Sequence, residues 1–169
     1  MNHKKPLHHM QGATLLVALI MLLLIAIIGF GAMQTTTMEE KMSGNLRDSN
    51  ISLQAAEAGL REREGWLREE NTPPAKTTWL VGSGELDLSQ AFPFGATALE
   101  YGAEGVVDIP EVSADPVMVM EEMEFVPDDL LTGFDIRKGR DFYRILSEGN
   151  GQTGNSATVL ESTYAKRFN

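Results

Sequence analysis

The sequence predicts an α+β fold: one long N-terminal helix, membrane-spanning in its first half and amphipathic in its second, packed on a small antiparallel sheet of three to four strands. Three observations lead there. An unbroken apolar run covers Ala13 to Met33. A proline-free continuation with a seven-residue leucine spacing follows it directly. The C-terminal half then offers short strand-like runs separated by glycine, proline and asparagine. The organisation expected is a leader over 1–12, a spanning half over 13–36, an amphipathic half over 37–71, and a loop plus sheet over 72–169.

The run from Ala13 to Met33 contains nothing more polar than Thr14. At 1.5 Å per residue it makes a helix of about 31 Å, matching a hydrocarbon core of ~30 Å. No charged residue occurs between Lys5 and Glu39. Lys4 and Lys5 before the run, with Glu39 and Glu40 after it, put the N-terminus on the cytoplasmic side. A secretory signal peptide has a shorter apolar region of about 7–15 residues before a small-x-small cleavage site. Its best match here, Gly29-Phe30-Gly31, comes after the run is already too long.

From Gln34 to Asn71 there is no proline, and most residues favour helix. Leu46, Leu53, Leu60 and Leu67 recur every seven residues and form one slowly drifting stripe. A coiled coil requires apolar residues at both seam positions, yet Ser49, Asn50 and Arg63 fall between the leucines. The stripe is therefore expected to lie on the chain's own sheet, all four leucines included. Gly59 and Gly65 weaken the last turns by about 1 kcal/mol each relative to alanine. Thr72-Pro73-Pro74 ends the helix, at about Glu70.

Residues 75–95 read as a connecting loop with short ordered pieces. Strands are expected over Ala96–Tyr101, Val117–Val126, Asp141–Ser147 and Ala157–Tyr164. In the second of these, Val117, Val119, Met123 and Phe125 alternate with Glu122 and Glu124, which places the four apolar residues on one face. Gly149 to Asn155 reads as a hairpin loop. Met118, Met120 and Met123 read as core filling.

Composition excludes several functions. The first dozen residues hold two of the 14 basic residues, so the rest carries 12 basic against all 24 acidic ones. Such an acidic body is unsuited to nucleic acid. There is no cysteine, and His3, His8 and His9 all precede the apolar run. Disulfides, thiolate metal sites and a Ser-His-Asp triad in the body are thereby ruled out. No catalytic constellation is visible, and neither a metal nor a cofactor is expected.

The junction Gln11-Gly12-Ala13-Thr14-Leu15-Leu16 joins a short basic leader, through glycine, to the apolar helix. It resembles the class III prepilin signal, which implies that a prepilin peptidase cuts between Gly12 and Ala13 and methylates the new N-terminus. The segment Ala32-Met33-Gln34-Thr35-Thr36-Thr37-Met38-Glu39-Glu40-Lys41-Met42-Ser43-Gly44-Asn45-Leu46-Arg47-Asp48, followed by Gln54-Ala55-Ala56-Glu57-Ala58-Gly59-Leu60-Arg61, resembles the N-terminal signature of PilX-type minor pilins of the type IV pilus. The segments Phe142–Ile145 and Val159–Tyr164 are similar to the closing strands of that family. The resemblance implies a pilin-like fold and a precursor held in the bacterial inner membrane with its body periplasmic. It further implies partners: other minor pilins, the major pilin, the inner-membrane assembly platform and a tip adhesin, in a complex that primes assembly of a fibre used for adhesion and twitching motility.

Val17 departs from the usual pattern. At this fifth mature position most pilins carry a glutamate, which meets the N-terminal ammonium of the subunit ahead. An ionised group mid-bilayer costs at least ~2.5–3.5 kcal/mol and is retained where it finds a partner. A subunit with nothing ahead of it has no use for one, so Val17 points to the tip; drift at an apolar position would leave the same residue. Two rival readings remain open. One is the tip pseudopilin of type II secretion, which also lacks the glutamate but usually has a large inserted helical domain. The other is a single-pass membrane-anchored extracytoplasmic binding protein.

Overall fold

The computed structural model describes residues 11–102, 109–128 and 138–168. Most of the expected leader, residues 1–10, lies outside them. Helix α1 runs Gln11–Glu69, and strands follow as β1 Leu80–Val81, β2 Leu99–Glu100, β3 Val117–Pro127, β4 Gly139–Asn150 and β5 Ala157–Lys166. The chain divides into two compact units, residues 1–45 and 46–169.

In the first unit, every described side chain from Ala13 to Asn45 is exposed. Leu15, Ile25 and Phe30 are 70–74% exposed. A helix this apolar all round is suited to lipid or to other apolar helices. Its most apolar 18-residue window has mean hydropathy 3.0, and none of that window is buried, unlike a core helix of a soluble protein.

In the second unit the sheet order is β1-β3-β4-β5, with β2 pairing on β3. The three long strands form an antiparallel meander, with Met120 opposite Ile145 and Ile145 opposite Ser162. The sheet is larger than expected by one strand. Two-residue β1 joins β3 in parallel, Leu80 beside Met120, inside what reads from sequence as loop. The Ala96–Tyr101 strand shrinks to Leu99–Glu100. Gly149 and Asn150, expected in the hairpin loop, instead close β4 and pair with Thr158 and Ala157.

Residues directly opposite on paired strands share a face. Met118, Met120, Tyr143, Ile145 and Ser147 thus face α1. Val119, Glu121, Arg144 and Leu146 face the other way, under the 82–96 segment, where Leu86, Val119 and Leu146 make a second small core. The expected common face of Val117, Val119, Met123 and Phe125 fails because β3 bulges between Glu122 and Phe125. One extra residue reverses the alternation, so Phe125 pairs with Asp141 and joins the face of Tyr143. The second face is closed by ions: Arg144 bridges Glu121 at 2.8 Å and Glu161 at 3.0 Å, and the Gly84 N–H donates to Glu121 at 2.6 Å.

Candidate functional site: the assembly helix and its seat

Between Ala13 and Met38 the helix holds no charged side chain. Gly12 lies in its first turn, and Val17 is 54% exposed among Leu15, Leu16 and Leu19, which are 61–74% exposed. Three hydroxyls mark the end of the apolar stretch. Thr35, Thr36 and Thr37 each donate to the carbonyl four residues back, on Gly31, Ala32 and Met33, at 3.2, 3.2 and 2.9 Å. Such bonds satisfy the hydroxyls internally, so this turn can rest in apolar surroundings at little cost.

The seat is built differently. Asp48, the first buried residue of α1, grips the β4–β5 loop. It accepts from the Thr153 N–H at 2.9 Å, the Thr153 hydroxyl at 2.8 Å and the Ser156 hydroxyl at 2.6 Å. The Ser156 hydroxyl first, and then the Thr153 amide, hold its carboxyl below the ordinary value of 3.8. One turn on, the Ser52 and Thr158 hydroxyls share a bond of 2.7 Å. Glycine allows the backbones to touch: a Cβ on Gly149 would fall 2.2 Å from the Ala56 nitrogen and 2.5 Å from the Ser52 oxygen. On the helix side, a Cβ on Gly59 would meet the Ser147 hydroxyl oxygen at 2.3 Å. Gly59 thus trades helix propensity for contact.

Below this polar half the seat turns apolar, with Leu60 and Leu67 against Leu80, Met120, Tyr143 and Ile145. Full burial of a leucine contributes about 1.5–3 kcal/mol. Ser162 donates to Glu64 at 2.6 Å, and the Lys166 ammonium donates to the Arg68 carbonyl, one of the helix-terminal acceptors.

The leucine stripe needs correcting. Exposure along it runs 63% at Leu46, 45% at Leu53, 9% at Leu60 and 0% at Leu67. A straight α-helix retreats about 20° per heptad, so three heptads turn the stripe by about 60°. The leucines therefore enter the core only at Leu60. Leu46 and Leu53 stand off the sheet, and Asp48, Ser52, Ala55 and Ala56 take the packed positions there.

Arg63, which reads as a polar break in the stripe, is 1% exposed. Its guanidinium meets Glu62 at 2.7 Å and lies 5.7 and 5.5 Å from the ring centres of Trp66 and Trp79. Planar and weakly hydrated, it can be buried against aromatic faces where an ammonium would fare worse. Neither this site nor the Asp48 clasp is visible from sequence, because Trp79, Thr153 and Ser156 lie in other elements. Met118 and Met120, expected as core filling, are fully buried. Among the described residues no cluster of candidate metal ligands occurs.

Comparison with known families matches residues 11–61 to the family described as PilX N-terminal. Comparisons with curated proteins and with solved structures return no match. The matched stretch covers the whole apolar half of α1 and its polar clasp, and it ends at Arg61, just after the helix reaches the sheet. A long N-terminal apolar helix continuing onto a small sheet is a pilin-like arrangement, and over residues 11–61 the chain is similar to the PilX N-terminal family.

Proposed function

We infer that this chain is a minor pilin that joins other minor pilins in a tip complex, primes filament assembly and presents a tip adhesin. The family that residues 11–61 resemble is a structural one, and the exposed apolar helix of this chain fits membrane anchoring. The observation that carries the finer reading is Val17. It stands in an exposed, charge-free helix where a filament subunit would offer a carboxylate to the subunit ahead. Cleavage between Gly12 and Ala13 leaves the Ala13 ammonium able to accept the glutamate of the subunit behind. The chain can then end a filament and not continue one. The remaining roles follow as expectations: processing by the prepilin peptidase, handling by the inner-membrane assembly platform, and contact with the major pilin below.

The test is the ratio of this chain to major pilin in sheared pili, read together with immunogold position. Label confined to one end, and fewer pili on deletion with the membrane pool of major pilin intact, are expected. Mass spectrometry of the same material should start at N-methylated Ala13. Even labelling along the shaft refutes the tip reading, and recovery of residues 1–12 on the mature chain refutes the processing.

A further inference from the structure

β5 lies at the end of the sheet. It pairs with β4 along all ten residues, and among the described residues no strand occupies its outer side. An open edge of that length presents a row of backbone N–H and C=O groups, which proteins ordinarily cover, twist away or interrupt with proline. β5 has no proline, and its pairing with β4 runs without a register shift. Its side chains alternate between half-buried and exposed. Leu160 and Tyr164 pack only partly on the helix-side core, and Val159 is 43% exposed on the opposite face.

Beside this edge stands Leu53, a member of the leucine stripe that the sheet leaves 45% exposed. Ser52, Glu64 and Arg68 contact Thr158, Ser162 and Lys166 in turn, so α1 runs alongside β5 in the same direction. At 100° per residue, Leu53 lies within about 20° of the flank of α1 that carries Glu64. That is the flank on the β5 side. An open strand edge and an exposed leucine therefore adjoin within one unit, and among the described residues each lacks what an added strand would supply: backbone partners for the first and apolar cover for the second.

We propose that the outer edge of β5, with Leu53 beside it, is a docking site for an extended strand from a different protein chain, basic and alternately apolar. Strand addition gives affinity through main-chain hydrogen bonds and specificity through alternate side chains. Apolar residues on the helix side of the incoming strand cover Leu53, Leu160 and Tyr164. The choice of a different, basic chain over a second copy rests on charge. Residues 46–169 carry 22 acidic and 11 basic residues, so two copies meeting edge to edge repel, whereas a cationic strand is attracted. The proposal concerns the sheet edge and stands whether or not the chain sits at a pilus tip.

The experiment uses the full chain in detergent micelles and a synthetic peptide of alternating valine and lysine, about ten residues long to match a strand. Hydrogen exchange of the β5 amides is followed by mass spectrometry, with a valine–glutamate peptide as control. The lysine peptide should slow exchange within residues 157–166 at least tenfold, and the glutamate peptide should not. Leu53→Ser, at an exposed position that leaves the fold intact, should weaken lysine-peptide binding about tenfold. Absence of slowing, equal action of both peptides, or full affinity in Leu53→Ser overturns the site. Concentration-dependent protection of β5 without peptide shows pairing between copies and overturns the choice of partner.

Discussion

Leu15, Ile25 and Phe30 in the first half of α1 are 70–74% exposed, while Asp48, Ser52 and Arg63 in the second half are 8%, 0% and 1% exposed. In the first half the apolar residues are outside, and in the second half polar residues are inside, alongside Leu60 and Leu67. The difference is one of solvent. The first half is suited to lipid or to neighbouring helices, where exposed hydrocarbon costs nothing and a stray charge is expensive. The second half meets water on one side and its own sheet on the other. Its buried polar side chains are tolerable because Asp48 and Ser52 are hydrogen-bonded to the β4–β5 hairpin and Arg63 meets Glu62 and two indole rings. Where the backbones approach most closely, at Gly149 and Ala56, small and polar residues are what fit.

The largest expected effect tests that close approach. Gly149→Ala places a methyl group on the backbone of α1 and should destabilise the body by about 3 kcal/mol, at the upper end of overpacking costs. Gly44→Ala, with nothing within 4 Å, should do the opposite and stabilise its half by up to about 1 kcal/mol. Chemical denaturation of the two variants in the same detergent checks the contrast, and equal losses would break it.

Next comes the stripe. Leu67→Ala and Leu60→Ala should each cost about 2–5 kcal/mol. Leu53→Ala and Leu46→Ala should stay within about 0.5 kcal/mol, as exposed substitutions do. A comparable loss at Leu46 would mean the stripe packs along its whole length.

The smallest effect concerns acid. Asp48 has its carboxyl lowered below 3.8 by the Ser156 and Thr153 donors, so the unfolded state takes up its proton first as pH falls. Its contribution is present above about pH 4 and is lost as pH drops through the folded value. Asp48→Asn should be less stable than the parent near neutrality and lose less on acidification. The gap between their melting temperatures should narrow below about pH 4. A constant gap would show that the clasp is steric and not ionic.

Much of this was legible because it is local. The helix limits, Gln11–Glu69 against an expected Ala13–Glu70, follow from propensity and from Pro73-Pro74. The three long strands follow from short apolar runs, and the apolar half of α1 announces itself by composition. What stayed hidden depends on partners distant in sequence. β1 exists only because Leu80 lies beside Met120. Phe125 changes face through a bulge that alternation alone cannot reveal. Arg63 is buried by Trp79 as much as by its neighbour Glu62. Leu46 and Leu53 illustrate a subtler failure: their spacing is right, but a helix is not commensurate with seven, and the drift takes them off the sheet.

The Asp48 clasp also bears on when the body can form. Its partners lie 105 and 108 residues further along the chain, and the Ser52–Thr158 bond spans 106. Contacts of such separation form late, since the intervening chain must first be ordered. The apolar half of α1 can enter a membrane as soon as it is made, but the polar half has no seat until Thr153, Ser156 and β5 have emerged. The apolar half is thus complete before the body can fold, and a synthesis that stops short of Ala157 leaves an unfinished sheet. The last strand made is the one that sets the first element in place.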